Sequence, residues 1–123
     1  MAKKSAKHFH CATEFTLDVL GGKWKTVILA YLKQRPCRYS DLRRLMPKLS
    51  DKMLTERLLE LTHRGLIVKS RTRTSAPVVV YSLTERGESL RHVLGHLYKW
   101  GLSHAQAFEV TLEEPLKLLR ARR

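Results

Sequence analysis

The fold class this sequence predicts is mainly α-helical with one β-hairpin, and three adjacent stretches predict it. Residues 49–65, LSDKMLTERLLELTHRG, hold a full set of helix signals. Just before them, residues 40–46 carry a shorter helix pattern that Pro47 ends. Just after them, residues 66–83 carry two β-prone runs around a polar loop. Two helices joined by about three residues and followed at once by a hairpin form one ordered unit.

In chain order, residues 1–10 contain Lys3, Lys4, Lys7, His8 and His10 and little to bury, which predicts a flexible basic arm, with a single domain over residues 11–123. Ala12, Phe15, Leu17, Val19 and Leu20 predict a short amphipathic helix that Gly21 and Gly22 interrupt. From Lys23, KWKTVILAYLKQ reads as a second helix with Trp24, Val27, Ile28, Tyr31 and Leu32 inward and Lys23, Lys25 and Lys33 outside. Trp24 is read as core, because aromatic side chains bury large areas. Arg35-Pro36-Cys37 is a turn, and Arg38 and Tyr39 add a residue or two of extended chain. Ser40 then caps the short helix DLRRLM, which stops before Pro47 because a residue preceding proline is pushed out of the helical region.

The long helix follows. Ser50 is its N-cap, Asp51 puts negative charge in the first turn, and Gly65 can take the left-handed C′ position. Leu49 and Leu54 are placed to close as a hydrophobic staple. Leu54, Leu58 and Leu61 form one apolar stripe, and the opposite face holds Lys52, Thr55, Glu56, Leu59 and His63. Alone, this is an ordinary amphipathic surface helix. After a short helix and a tight turn it matches a helix-turn-helix, whose second helix reads the major groove. The hairpin behind it carries Lys69, Arg71 and Arg73 and no acidic residue, as the wing of a winged helix domain does; a solvated hairpin end is the competing reading.

Thr84 can cap a third long helix that begins at Glu85 and carries Leu90, Val93, Leu94, Leu97 and Trp100 on one side. Gly95 and Gly101 mark places for close backbone packing or a bend. A last short helix is read over residues 114–119, ahead of a basic end at 120–123. Leu112, Leu116, Leu118 and Leu119 have little domain left to pack on, so residues of about 12–20 and 85–119 read as dimerisation helices.

Composition limits the function. Twenty-four Lys and Arg against eleven Asp and Glu give a charge of +13 and a pI near 10.3, which points to a polyanion, most often nucleic acid. No apolar run approaches the roughly 18 residues of a membrane span, and no apolar signal segment follows the basic start, so a cytoplasmic protein with no membrane partner is expected. Cys11 and Cys37 are too few for a disulfide framework and lack metal-ligand spacing, so reduced thiols are expected. His92 and His96 at i, i+4, and the cluster His8-Phe9-His10-Cys11, invite a metal. No HExxH, paired-cysteine or phosphate-loop motif accompanies them, so the expectation is no metal, no cofactor and no enzyme. A non-specific basic nucleic-acid binder, chromosomal or RNA-binding, is the rival to a sequence-specific regulator.

Gly21-Gly22-Lys23-Trp24, Arg38-Tyr39-Ser40-Asp41-Leu42, Leu49-Ser50-Asp51-Lys52-Met53-Leu54-Thr55, Arg57-Leu58, Leu61, Gly65-Leu66-Ile67 and Tyr81-Ser82-Leu83-Thr84-Glu85-Arg86-Gly87 follow one another as in the HxlR family of bacterial transcription regulators, part of the MarR-like winged helix-turn-helix group. The chain resembles that family over roughly residues 11 to 101. The resemblance implies a homodimer on double-stranded operator DNA, usually palindromic, that answers to oxidants, electrophiles or other small signals, with repression the commoner mode. It makes residues 50–57 the front of the recognition helix: Ser50 and Thr55 on backbone or base edges, Lys52 on a guanine or phosphate, Arg57 on a phosphate. The expected DNA-binding set is Ser50, Lys52, Met53, Thr55, Glu56, Arg57, Arg71, Arg73 and Thr74. At Glu56 the family more often has glutamine; a carboxylate accepts from the amino group of cytosine and repels phosphate, so the operator can differ here. Leu59 stands where a polar residue is usual, and is read as touching a thymine methyl or as partly buried against the wing.

Cys11 lies eleven residues before Gly22, where the family frequently has a cysteine that senses oxidants or quinones, although Ala12 follows it where many members have proline. A sensor thiol must be exposed and readily deprotonated, and nearby lysines and histidines favour that; a small buried residue is the alternative. Cys37 sits in a variable turn of the family pattern, with nothing to bring it near Cys11. Oxidation would therefore modify Cys11 or join it to a partner chain's cysteine.

Overall fold

A computed structural model describes residues 8–113. Most of the predicted arm, and the predicted helix at 114–119 with its basic end, lie outside the described residues. The order is α1 (Ala12–Leu20), α2 (Lys25–Gln34), α3 (Tyr39–Leu45), α4 (Asp51–His63), β1 (Ile67–Arg71), β2 (Val79–Leu83), α5 (Glu85–Glu88) and α6 (Arg91–His104). This is a winged helix-turn-helix.

α4 is specified at both ends. The Ser50 hydroxyl accepts from the Met53 N–H at 3.1 Å, and the staple residues Leu49 and Leu54 are both buried. At the other end Gly65 has φ 74°. Its N–H donates to the Thr62 carbonyl at 2.9 Å and the Leu66 N–H to the Leu61 carbonyl at 3.0 Å, which is a Schellman closure. Leu54, Leu58 and Leu61 are buried with Ile28, Leu29 and Leu42 in one core.

The hairpin pairs antiparallel from Ile67↔Leu83 to Arg71↔Val79. Extended backbone before α3 covers Cys37 and Arg38, as expected for Arg38 but not for Tyr39, which is already helical: the Cys37 N–H donates to the Tyr81 carbonyl at 3.0 Å and the Cys37 carbonyl accepts from the Tyr81 N–H at 2.8 Å. α3 starts at Tyr39, which places Ser40 inside the helix and removes it as the cap. The reason is Asp41, whose carboxylate reaches back to the Arg38 N–H at 2.8 Å.

Two further expectations are corrected. α2 begins at Lys25 after a left-handed Trp24 at φ 80°, and Lys25 is buried. Lys25, Ile28, Leu29 and Leu32 stand at i, i+3, i+4, i+7, so the lysine stem belongs to the apolar stripe. The third long helix is broken into α5 and α6 at Ser89 and Leu90. The close approach is at Gly87, where a Cβ would collide with the Leu66 carbonyl oxygen. At Gly95 a Cβ would meet only Lys33 Nζ at 3.8 Å, and at Gly101 nothing within 4 Å, so neither glycine marks a close backbone approach within the described residues. Thr84 caps α5 as expected, accepting from the Gly87 N–H at 3.0 Å while its hydroxyl donates to the Gly65 carbonyl at 2.6 Å. That pair of bonds ties the start of α5 to the end of α4.

Candidate nucleic-acid interface

The exposed face of α4 is held in place from α3. Arg43 donates to the Leu49 carbonyl and its Nε lies 3.0 Å from Asp51 Oδ1. The Tyr39 hydroxyl donates to the same oxygen at 2.8 Å. The first turn of α4 is thus clamped to both ends of α3, which fixes the direction in which its outer face points. α3 is itself organised around the buried Asp41, whose carboxylate lies 2.7 Å from Arg44, 3.7 Å from Arg35 and 3.8 Å from Arg38. One buried carboxylate therefore gathers three arginines beside the turn.

On α4, Lys52, Thr55, Glu56, Leu59 and His63 are all exposed along one face, as the periodicity expects. Met53 is half-buried against the core. Leu59 is 55% exposed and does not lie buried against the wing. It sits opposite the Leu54, Leu58 and Leu61 stripe, and among the described residues nothing covers that side. Arg57 turns inward: its Nε donates to the Lys23 carbonyl at 3.0 Å and Nη1 to Glu60 at 3.2 Å. This ties α4 to the turn before α2.

The wing tip extends the ladder by one more pair. The Thr72 N–H donates to the Val78 carbonyl at 2.9 Å, and the Thr72 hydroxyl accepts from the Val78 N–H at 3.1 Å. Arg71, Arg73 and Thr74 are exposed there, with the Thr74 hydroxyl 3.3 Å from that of Thr72. Lys69 lies 5.9 Å from the centre of the Tyr81 ring. The geometry therefore gathers Lys52, Thr55 and Glu56 on one helix face and Arg71, Arg73 and Thr74 at the tip of one hairpin. Tyr39, Asp41 and Arg43, which aim the helix, escaped the sequence reading. Only Asp41 left a signal there, as an acidic residue at the third helical position.

Cys11 is exposed at the N-cap of α1, whereas Cys37 is buried and its backbone pairs edge to edge with Tyr81 of β2. Among the described residues no group of three or more His, Cys, Asp and Glu could hold a metal ion, and no helix is long and apolar enough to cross a membrane.

This arrangement has close relatives. The profile of the HxlR-like helix-turn-helix family matches residues 19–109. The Bacillus subtilis HTH-type transcriptional regulator YkvN is 42% identical over 100 residues, covering 81% of this chain and 85% of YkvN. YtcD, an HTH-type transcriptional regulator of the same organism, is 44% identical over 98 residues, covering 80% of this chain and 78% of YtcD. Among solved structures, the redox regulator HypR in its reduced form superposes with a TM-score of 0.74 at 35% identity, covering 80% of this chain and 98% of that one.

Proposed function

The chain belongs to the HxlR-like helix-turn-helix family and is a transcriptional regulator, and on that premise we propose that it is a repressor that binds a palindromic operator in double-stranded DNA as a homodimer. The observation that carries this reading is α4: buried on one face, clamped at its first turn by Tyr39 and Arg43, and open on the other face with Lys52, Thr55 and Glu56. In a two-fold dimer two such helices enter successive major grooves about 34 Å apart. Lys52 and Glu56 read base edges, Thr55 and the capping Ser50 sit at the backbone, and Met53 supports the face from below. Arg71, Arg73 and Thr74 reach flanking phosphate or minor groove. Arg57, engaged by Lys23 and Glu60, acts first as a strut, with its remaining donors toward phosphate. An operator-binding protein of this kind works in the cytoplasm, without enzymatic activity or cofactor.

The exposed apolar residues of α1 and α6, Phe15, Leu17, Leu97, Trp100 and Leu102, are the dimer surface in this reading. In this reading the described residues from Cys11 onward belong to one domain, and the lysines of the first ten residues add non-specific attraction to DNA. Cys11 is the sensor: it is exposed on α1, part of the proposed dimer surface, and a structural relative is a redox regulator. Its oxidation would change how the two DNA-binding units are held.

Footprinting on the DNA around the chain's own gene and its neighbours tests the reading. One protected palindrome at physiological salt is expected, with half-sites one helical turn apart, and loss of protection on adding a peroxide or quinone. Cys11→Ser should keep the footprint and lose the response. Uniform, salt-labile protection of all sequences would instead establish the +13 chain as a non-specific nucleic-acid binder.

A further inference from the structure

The first turn of α2, a helix of 10 residues, is uncapped: Trp24 at the N-cap makes no side-chain cap bond, and no acidic residue stands in the turn. Its leading N–H groups therefore lack an intrahelical partner and carry the positive end of the helix dipole. Lys25, the first helical residue, adds a full charge there. It is only 7% exposed, yet it takes part in no hydrogen bond or ion pair among the described residues. Side chains on a helix lean back toward its N-terminus, and this one runs to Gly22: a Cβ on that exposed glycine would lie 3.1 Å from Lys25 Cε and 3.8 Å from Nζ. The stem is thus buried and the ammonium lies beside the turn that starts α2. Asp18, the nearest acid along the chain, is 3.2 Å from Arg64. A charge brought so far out of water without a partner is costly, and no described residue supplies its counter-ion.

We propose that the start of α2 is a phosphate clamp for duplex DNA, in which one backbone phosphate receives the Lys25 ammonium and the leading N–H groups of α2, with the exposed Lys23 at its edge. Its ligand is an anion because the buried ammonium and the uncapped N–H groups converge on one turn, and helix N-termini take phosphate in this way. Place makes it a backbone phosphate. Arg57 Nε donates to the Lys23 carbonyl at 3.0 Å, which holds this turn against the flank of α4. Arg57 directly follows Glu56 of the reading face, so a phosphate bordering the groove that α4 enters is the polyanion nearest the clamp. A contact of this kind carries no sequence information; it fixes the register in which α4 reads. The assignment to DNA rests on the regulator reading, and the anion chemistry does not.

The test compares the full-length protein with Lys25→Met, which keeps the buried stem and removes the charge. Fluorescence anisotropy is read over a salt series on two duplexes, one carrying the protected operator and one of unrelated sequence. Lys25→Met should weaken both by the same factor and flatten the fall of log affinity with log salt by about 0.9 per bound chain. Lys25→Gln should flatten it equally, which separates lost charge from altered packing. Replacing operator phosphates one at a time by uncharged methylphosphonate should reveal one position per half-site whose loss weakens the parent and leaves Lys25→Met unaffected. An unchanged salt slope in both variants overturns the proposal. A lowered unfolding temperature beside that unchanged slope assigns the ammonium to the carbonyl end of α1, and inorganic phosphate that stabilises the parent alone makes the ligand a free anion. The two readings fail separately. A flattened slope on both duplexes with no preference for any operator faults the regulator reading alone, and an operator complex with an unchanged slope faults the clamp alone.

Discussion

α4 and α6 are amphipathic helices of nearly equal length, yet they treat their apolar stripes in opposite ways. Leu54, Leu58 and Leu61 on α4 are 0, 3 and 0% exposed, whereas on α6 Leu94 is 6% exposed but Leu97 is 47% and Trp100 56%. Each helix shows the same spacing of three and four. Periodicity reports that a helix has an apolar side, and says nothing of whether its own chain covers that side. α4 spends its stripe on anchoring a reading face, and α6 keeps most of its stripe outside the fold of one chain.

The contrast is most easily broken by truncating one leucine on each helix. Leu58→Ala should cost about 2 to 5 kcal/mol in urea unfolding at any protein concentration, since it opens a cavity in the packed core. Leu97→Ala should leave the unfolding of a dilute sample within roughly 1 kcal/mol of the parent. It should instead raise the concentration at which dimers form, as read by sedimentation. Equal losses for both variants in dilute samples would mean that α6 is as much a core helix as α4.

The outer face of α4 should behave in a third way. Glu56→Gln and Lys52→Ala both lie on an exposed surface, so neither should shift stability by more than about 0.5 kcal/mol. Each should change the relative affinity for operators altered at one base pair by about 1 to 3 kcal/mol. For Glu56→Gln the expected direction is from cytosine toward adenine, measured by competition among operator variants. A uniform change across all variants would make these residues backbone contacts.

The sequence makes α4 legible because its signals are local: cap, staple, stripe and C′ glycine lie within seventeen residues. The hairpin is legible for the same reason. What aims α4 is not. Arg43 reaches a carbonyl six residues on and a carboxylate eight residues on, and no helical spacing predicts such contacts across a turn. Lys25 reads in sequence as an outward residue because of its charge, although positions 25, 28, 29 and 32 already form a stripe. The break after α5 hid because a buried glycine backing onto the Leu66 carbonyl looks, in sequence, like any helix glycine. Cys37 passes for a turn residue until Tyr81, forty-four positions later, pairs with it.

Gly101 gives the smallest and sharpest test. It lies inside α6, and within the described residues a Cβ there would meet nothing within 4 Å. Replacing a helical glycine by alanine where space is open reduces the freedom of the unfolded chain, and should stabilise a dilute sample by about 0.5 to 1 kcal/mol. If α6 carries the dimer surface through a close helix contact at this point, the same methyl group must push the two chains apart, so Gly101→Ala should gain folding stability and lose dimer affinity together. Opposite signs in two measurements on one variant cannot come from general damage to the fold. A gain in both would place Gly101 away from the seam and leave Leu97 and Trp100 to mark it; a loss in both would show that the backbone of α6 needs its glycine for a reason internal to the chain.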